Sequence, residues 1–143
     1  CKELYKDFKG IYVYDYAIYK HNGKEIFQNS GALCTPSDTG LVGTFHQQEK
    51  ERFQRTVKYD PVEVKTFKWK TALNRWKIRE FDMISLDIEG SETFVLPDMD
   101  LSKTRLIVIE WNSKPELKIE YEKYLDGFTI IYTSGENLIY ARV

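Results

Sequence analysis

Apolar and polar positions are set most usefully against each other in FDMISLDIEGSE, residues 81–92, the stretch around which the chain is organised. Met83, Ile84, Leu86 and Ile88 form a run too short for a comfortable helix and rich enough in branched residues for a buried strand. A second run, TRLIVIEW (104–111), has the same character. Between them SETFVL predicts a helix, stopped by Pro97 and the Asp98-Met99-Asp100 turn. Pro115 suits the first position of a further helix, PELKIEYEKYLDG, with Leu117, Tyr121, Tyr124 and Leu125 as its apolar stripe and Gly127 as its stop. FTIIYTSGENLIYARV predicts two closing strands around Ser134-Gly135, and a tight turn makes such a pair antiparallel. Strands alternating with helices imply parallel neighbours joined by right-handed crossovers. The expected class is α/β, with a mostly parallel sheet and a reversed strand at its edge.

The first half is less regular. CKELYKDFKG carries Leu4, Tyr5 and Phe8 on one helical face, with Gly10 as a stop. IYVYDYAIY (11–19) predicts a strand, Asn22-Gly23 a tight hairpin turn, and KEIFQN the returning strand. Residues 30–43 are small and polar and predict an irregular loop. Residues 44–55 are weakly helical. VEVKTFKW (62–69) alternates as a strand with one wet face, and Thr71 is placed to cap a short helix to Trp76. No repeat or interior boundary interrupts the 143 residues, so one domain is expected.

Charge changes this picture little. The net charge is -1, which gives no global field toward nucleic acid or a membrane. Residues 41–80 hold ten Lys/Arg against five Asp/Glu, and residues 81–143 hold six against twelve. A basic middle suits an anionic substrate, although a solvated face explains it as well. Cys1 and Cys34 offer neither metal-ligand spacing nor a disulfide framework, so a reducing, cytoplasmic setting is expected. No apolar run approaches a membrane span.

Chemistry gathers where the buried strands end. Asp87 and Glu89 are two residues apart on a strand, so they point the same way and can share a proton or a cation. The plainer use of either is to cap the following helix or order the turn at Gly90. Glu92 falls in that helix's first turn, where it complements the dipole. Glu110 ends the neighbouring strand and precedes Trp111 and Asn112. His46 lies in the basic region and is a candidate substrate contact; His21 sits at the hairpin turn. No Ser-His-Asp or Cys-His arrangement assembles.

The motif Asp87-x-Glu89-Gly90-x-Glu92 at the end of a hydrophobic strand, followed by a helix and by LIVIEW ending in Glu110, resembles the FkbM family of S-adenosylmethionine-dependent methyltransferases. Asp15-Tyr16-Ala17, VKTFKWKTALNRW and the closing ENLIYAR are similar to further parts of the pattern, in order. The resemblance implies a Rossmann-like class I methyltransferase sheet, here lacking its first two strands and the Gly-rich turn that holds the cofactor. Those strands belong between the Ile11 strand and the Met83 strand, so an upstream segment or a second chain is expected to complete the sheet. It also implies S-adenosylmethionine as cofactor and O-methylation of a hydroxyl on a sugar or other small metabolite. Asp87, Glu89 and Glu110 are then the catalytic candidates. Asp15, Tyr16, Ala17 and Asp87 are the cofactor contacts, and Glu92, Trp111, Asn112 and His46 the substrate contacts. Two rivals are a non-catalytic Rossmann-like fragment that binds a partner, and a carboxylate metal hydrolase built on Asp87, Glu89 and Glu110.

Overall fold

A computed structural model describes residues 2–29, 40–41, 60–88 and 90–143. Glu89, His46 and the expected weak helix at 44–55 lie outside the described residues. In chain order the elements are α1 (Lys2–Tyr5), β1 (Ala17–Ile18), β2 (Gly23–Asn29), β3 (Gly40–Leu41), β4 (Asp60–Phe67) and α2 (Trp69–Trp76). Then follow β5 (Met83–Leu86), α3 (Glu92–Val95) running into a 3-10 turn (Leu96–Asp98), β6 (Leu106–Glu110), α4 (Pro115–Glu122), β7 (Phe128–Thr133) and β8 (Asn137–Arg142). Among the described residues no helix is long and apolar enough to cross a membrane.

The α/β class holds, but the strands form two four-stranded sheets, ordered β1-β4-β2-β3 and β5-β6-β8-β7. Parallel pairing is the minority: β1 with β4 and β5 with β6 are parallel, and the other described pairings are antiparallel. The physical reason is the connections. Within the second sheet helices link β5 to β6 and β6 to β7, but β8 is joined to β7 by a short turn, must run against it, and inserts between β6 and β7, so that two of the three pairings are antiparallel. The reversed strand is β8, and it lies inside the sheet, between β6 and β7, instead of at the edge.

The expected hairpin across Asn22-Gly23 does not form. β4 separates β1 from β2, and most of the aromatic run 11–16 is irregular chain. Its rings pack sideways instead. Tyr14 stacks on Trp76 with centroids 4.3 Å apart, and Tyr16 meets Phe67 edge-on at 4.9 Å. The side chain of Asn22 serves another strand's end, its Oδ1 accepting the Lys68 N–H at 2.9 Å.

One face of the β5–β8 sheet is the core. Ile84 and Leu86 of β5, Ile107 and Ile109 of β6, and Leu138 and Tyr140 of β8 are buried there with Val95, Leu96, Leu101, Tyr121 and Leu125. Each large side chain withdrawn from water in this way contributes about 1.5–3 kcal/mol. α4 begins at Pro115 as expected, but ends at Glu122, which leaves Tyr124 of the predicted stripe exposed. The opposite sheet face is thinly covered. Met83 is 52% exposed, Ser85 is exposed, and Leu106, Val108 and Ile139 are half-buried.

Candidate functional site

The parallel register sets the site. Leu86 pairs with Ile109, and both point into the core. The next residue on each strand turns to the other side. Asp87 and Glu110 therefore stand beside each other at the carboxyl ends of β5 and β6, on the thinly covered face. Open α/β sheets bind ligands at such ends. Asp87 is exposed and Glu110 half-buried.

The chain between β5 and α3 is held from inside by Glu92. This residue is 2% exposed, and its Oε1 accepts the Ile88 N–H at 2.9 Å. Gly90 makes the turn with φ +89°, a conformation that costs glycine little. Burial pushes the Glu92 carboxyl up, while hydrogen bonds from the backbone of Ile88, Glu92 and Gly90 pull it back and the Asp87 charge adds to the rise. Ser91 stands at the cap position before α3, but its hydroxyl makes no capping bond and is buried without a hydrogen-bond partner.

Glu110 is likewise pushed up, first by burial and then by the charge of Asp87. The Asn112 side-chain amide lowers it again, while the charges of Glu92 and Glu136 raise it further. The structure thus brings together Asp87, Glu92, Glu110 and Asn112, four of the residues singled out in the sequence. It adds Tyr121, which the sequence presents only as part of a helix stripe. Tyr121 is fully buried, and its hydroxyl donates to the Glu110 carbonyl at 2.9 Å. The one local hint is chemical, since a tyrosine on a core stripe needs a partner for its hydroxyl. Trp111 is turned to the closing hairpin, where its indole N–H donates to the Ser134 carbonyl at 2.8 Å.

Asp15, Tyr16 and Ala17 sit on the other sheet. The strand expected over 11–19 is reduced to its end: Ala17 opens β1 and pairs with Thr66. Asp15 is exposed, and Tyr16 packs edge-on against Phe67, with the Arg75 guanidinium 5.7 Å from the Tyr16 ring centre and 5.4 Å from that of Phe67. The two sheets meet nearby through Tyr19 of the first and Phe94 of α3, edge-on at 5.8 Å. Among the described residues no three His, Cys, Asp or Glu side chains gather closely enough to hold a metal ion.

A family model, the methyltransferase FkbM domain, matches residues 9–130. The chain belongs to the FkbM methyltransferase family. The FkbM match takes in every element that carries a site candidate, from Asp15 through Asn112, and stops within β7. No curated protein and no solved structure matches the chain. The FkbM assignment accordingly rests on the sequence pattern, and the geometry beside it shows how the family's two acidic strand ends come to be neighbours.

Proposed function

We propose that this FkbM domain catalyses S-adenosylmethionine-dependent methyl transfer to a hydroxyl of a sugar or other small metabolite, in a cytoplasmic setting. The observation that carries the reading is the adjacency of Asp87 and Glu110 at the carboxyl ends of the parallel pair β5 and β6. An acidic rim has the right charge for a sulfonium cofactor, and Asp15, Tyr16 and Ala17 are its further contacts in this reading. When bound, the cofactor supplies an electrophilic methyl group and departs as a neutral thioether.

The chain's own residues do the rest. Asp87, exposed at the rim, orients the acceptor hydroxyl. Glu110 has its proton affinity raised by burial and by Asp87, which suits a carboxylate that takes up the hydroxyl proton as the oxygen–carbon bond forms. Proton acceptance of this kind is worth roughly 100-fold or more. Holding the acceptor in line with the methyl group contributes through positioning. Glu92 holds the turn that carries Asp87, while Trp111 and Asn112 line the acceptor side in this reading.

The cradle for the cofactor's methionine end is not among these residues, because no Gly-rich turn of suitable spacing occurs in the sequence. In this proposal a segment upstream of Cys1, or a second chain, adds to the free side of β5 and completes a Rossmann-like sheet. Calorimetry tests the reading. With the upstream-encoded sequence included, S-adenosylmethionine and its demethylated product are expected to bind, and residues 1–143 alone to bind far more weakly. Absence of binding to the longer chain sinks the proposal.

A further inference from the structure

Where the two sheets meet, a cleft of about 250 Å³ is lined by Tyr19, Lys20, Lys68, Phe94, Pro97 and Asp98. Register puts the first three there. β1 and β4 run parallel with Ile18 beside Phe67, so Tyr19 and Lys68, one residue on, leave the two strand ends together. The Tyr19 N–H donates to the Phe67 carbonyl at 2.9 Å, and the Asn22 side chain accepts the Lys68 N–H at 2.9 Å. The other three residues come from α3 and the 3-10 turn. The cleft is distinct from the acidic rim, since Asp87 precedes α3 whereas Pro97 and Asp98 follow it.

The lining combines aromatic rings with positive charge. Tyr19 is 2% exposed and Phe94 39%, and the two rings meet edge-on. The Lys20 ammonium stands 5.2 Å from the Tyr19 ring centre and 4.7 Å from that of Phe94, a range in which an aromatic ring attracts a cation. The rings thus restrain an exposed lysine and leave its N–H donors for another partner. Basic side chains nearby are engaged: His21 faces Glu25 at 3.2 Å, and Lys24 meets Glu63 at 2.5 Å. Asp98, the one carboxylate in the lining, turns both oxygens to Lys70. Its Oδ2 accepts the Lys70 N–H at 3.2 Å, and its Oδ1 lies 3.7 Å from the Lys70 ammonium. Among the described residues no carboxylate pairs with Lys20 or Lys68.

We propose that this cleft binds a small phosphate monoester with a flat or apolar body, its phosphate held by the Lys20 and Lys68 ammoniums and its body laid against Tyr19 and Phe94. A dianion matches two ammoniums that no carboxylate neutralises. An ester suits the site better than free phosphate, because the rings offer an apolar surface that an inorganic ion cannot use. Apolar faces with a few placed charges are the usual make-up of a small-molecule site. The inference does not depend on the chemistry proposed at Asp87 and Glu110. A ligand held from both sides of the sheet junction also stabilises the fold by mass action.

Calorimetry of the chain against phenyl phosphate, inorganic phosphate and benzyl alcohol tests it, with no cofactor or acceptor present. Phenyl phosphate is expected to bind saturably in the millimolar range, to raise Tm, and to bind less well as salt is added. Inorganic phosphate lacks the body and benzyl alcohol lacks the charge, and each is expected to bind at least about fivefold more weakly. Lys20→Gln and Lys68→Gln remove exposed charges, so each is expected to weaken phenyl phosphate binding at least about twofold. Asp98→Asn keeps an acceptor for the Lys70 N–H and removes the opposing charge. It is expected to tighten binding, a sign that a folding defect does not produce. Phe94→Leu is expected to narrow the preference for phenyl phosphate over inorganic phosphate. Lys118→Gln, on α4 outside the cleft, removes an equal charge and is expected to change nothing.

Equal affinity for phenyl phosphate and inorganic phosphate marks an adventitious ion only and overturns the proposal. So does unchanged affinity in the Lys20→Gln/Lys68→Gln double variant, or the lack of saturable binding to the wild-type chain.

Discussion

At the scale of single residues, two carboxylates with similar addresses in the motif are put to different uses. Asp87 is exposed at the strand end, whereas Glu92, five residues on, is buried and spends one oxygen on the Ile88 N–H. The first is a candidate for chemistry. Asp87→Asn is expected to lower methyl transfer at least tenfold with the unfolding transition unchanged; undiminished turnover removes Asp87 from the mechanism. The same substitution removes a like charge beside Glu110, so the acid limb of the pH–rate profile is expected to move to lower pH. Glu92 makes a different prediction. Its folded-state pKa lies above the ordinary 4.5, so proton binding favours the fold. The stability it contributes is fully present below the unfolded value and is lost as pH rises through the raised folded value. Glu92→Gln keeps the acceptor oxygen and removes the charge, and is expected to flatten that loss in denaturant titrations across the window. Glu92→Ala leaves the Ile88 N–H without its partner and is expected to cost about 1–3 kcal/mol.

At the scale of elements, local signals and tertiary bonds compete for the same backbone groups. α2 shows the outcome. Thr71 is the residue that sequence offers as a cap, yet the helix begins at Trp69 with Lys68 before it and no local side-chain cap. The need is met from another layer: Asp98, at the end of the 3-10 turn after α3, accepts the Lys70 N–H through Oδ2 at 3.2 Å, and the Lys70 ammonium lies 3.7 Å from its other oxygen. Asp98→Ala is therefore expected to cost about 1 kcal/mol in thermal unfolding, as a lost N-cap does, and Asp98→Asn to retain most of it. The same competition marks what sequence discloses. β5, β6, α4 and the β7–β8 pair are legible because their apolar runs are bounded by Pro115, Gly127 and Ser134-Gly135, and each boundary acts locally. The Asn22-Gly23 hairpin is misread because β4, nearly forty residues on, takes the place of the partner strand. The site divides in the same way. Asp87 and Glu110 are visible as the ends of two such runs, but Tyr121 is not, because its hydroxyl bond to Glu110 depends on how α4 docks.

At the scale of the whole molecule, the β5–β8 sheet is asymmetric. One face carries a continuous core of Ile84, Leu86, Ile107, Ile109, Leu138 and Tyr140. The other bears Met83, Leu106, Val108 and Ile139 with little over them, and β5 has β6 as its one partner among the described residues. β5 also lacks the devices that protect an edge, since MISL contains no proline, lysine or bulge. A short apolar parallel strand with this composition is normally covered on both faces. If the polypeptide proposed to complete the sheet beside β5 also covers this face, Met83 is a surface residue in residues 1–143 and a buried one in the longer chain. Met83→Lys separates the two states. In residues 1–143 it is expected to change unfolding by no more than about 0.5 kcal/mol, the range of ordinary surface substitutions, and to reduce self-association. In the longer chain it places an unpaired ammonium beneath the added layer, and is expected to destabilise by several kcal/mol and to weaken cofactor binding along with it. Equal, small effects in both chains mean that this face stays open to water and that the completing segment, if present, lies elsewhere.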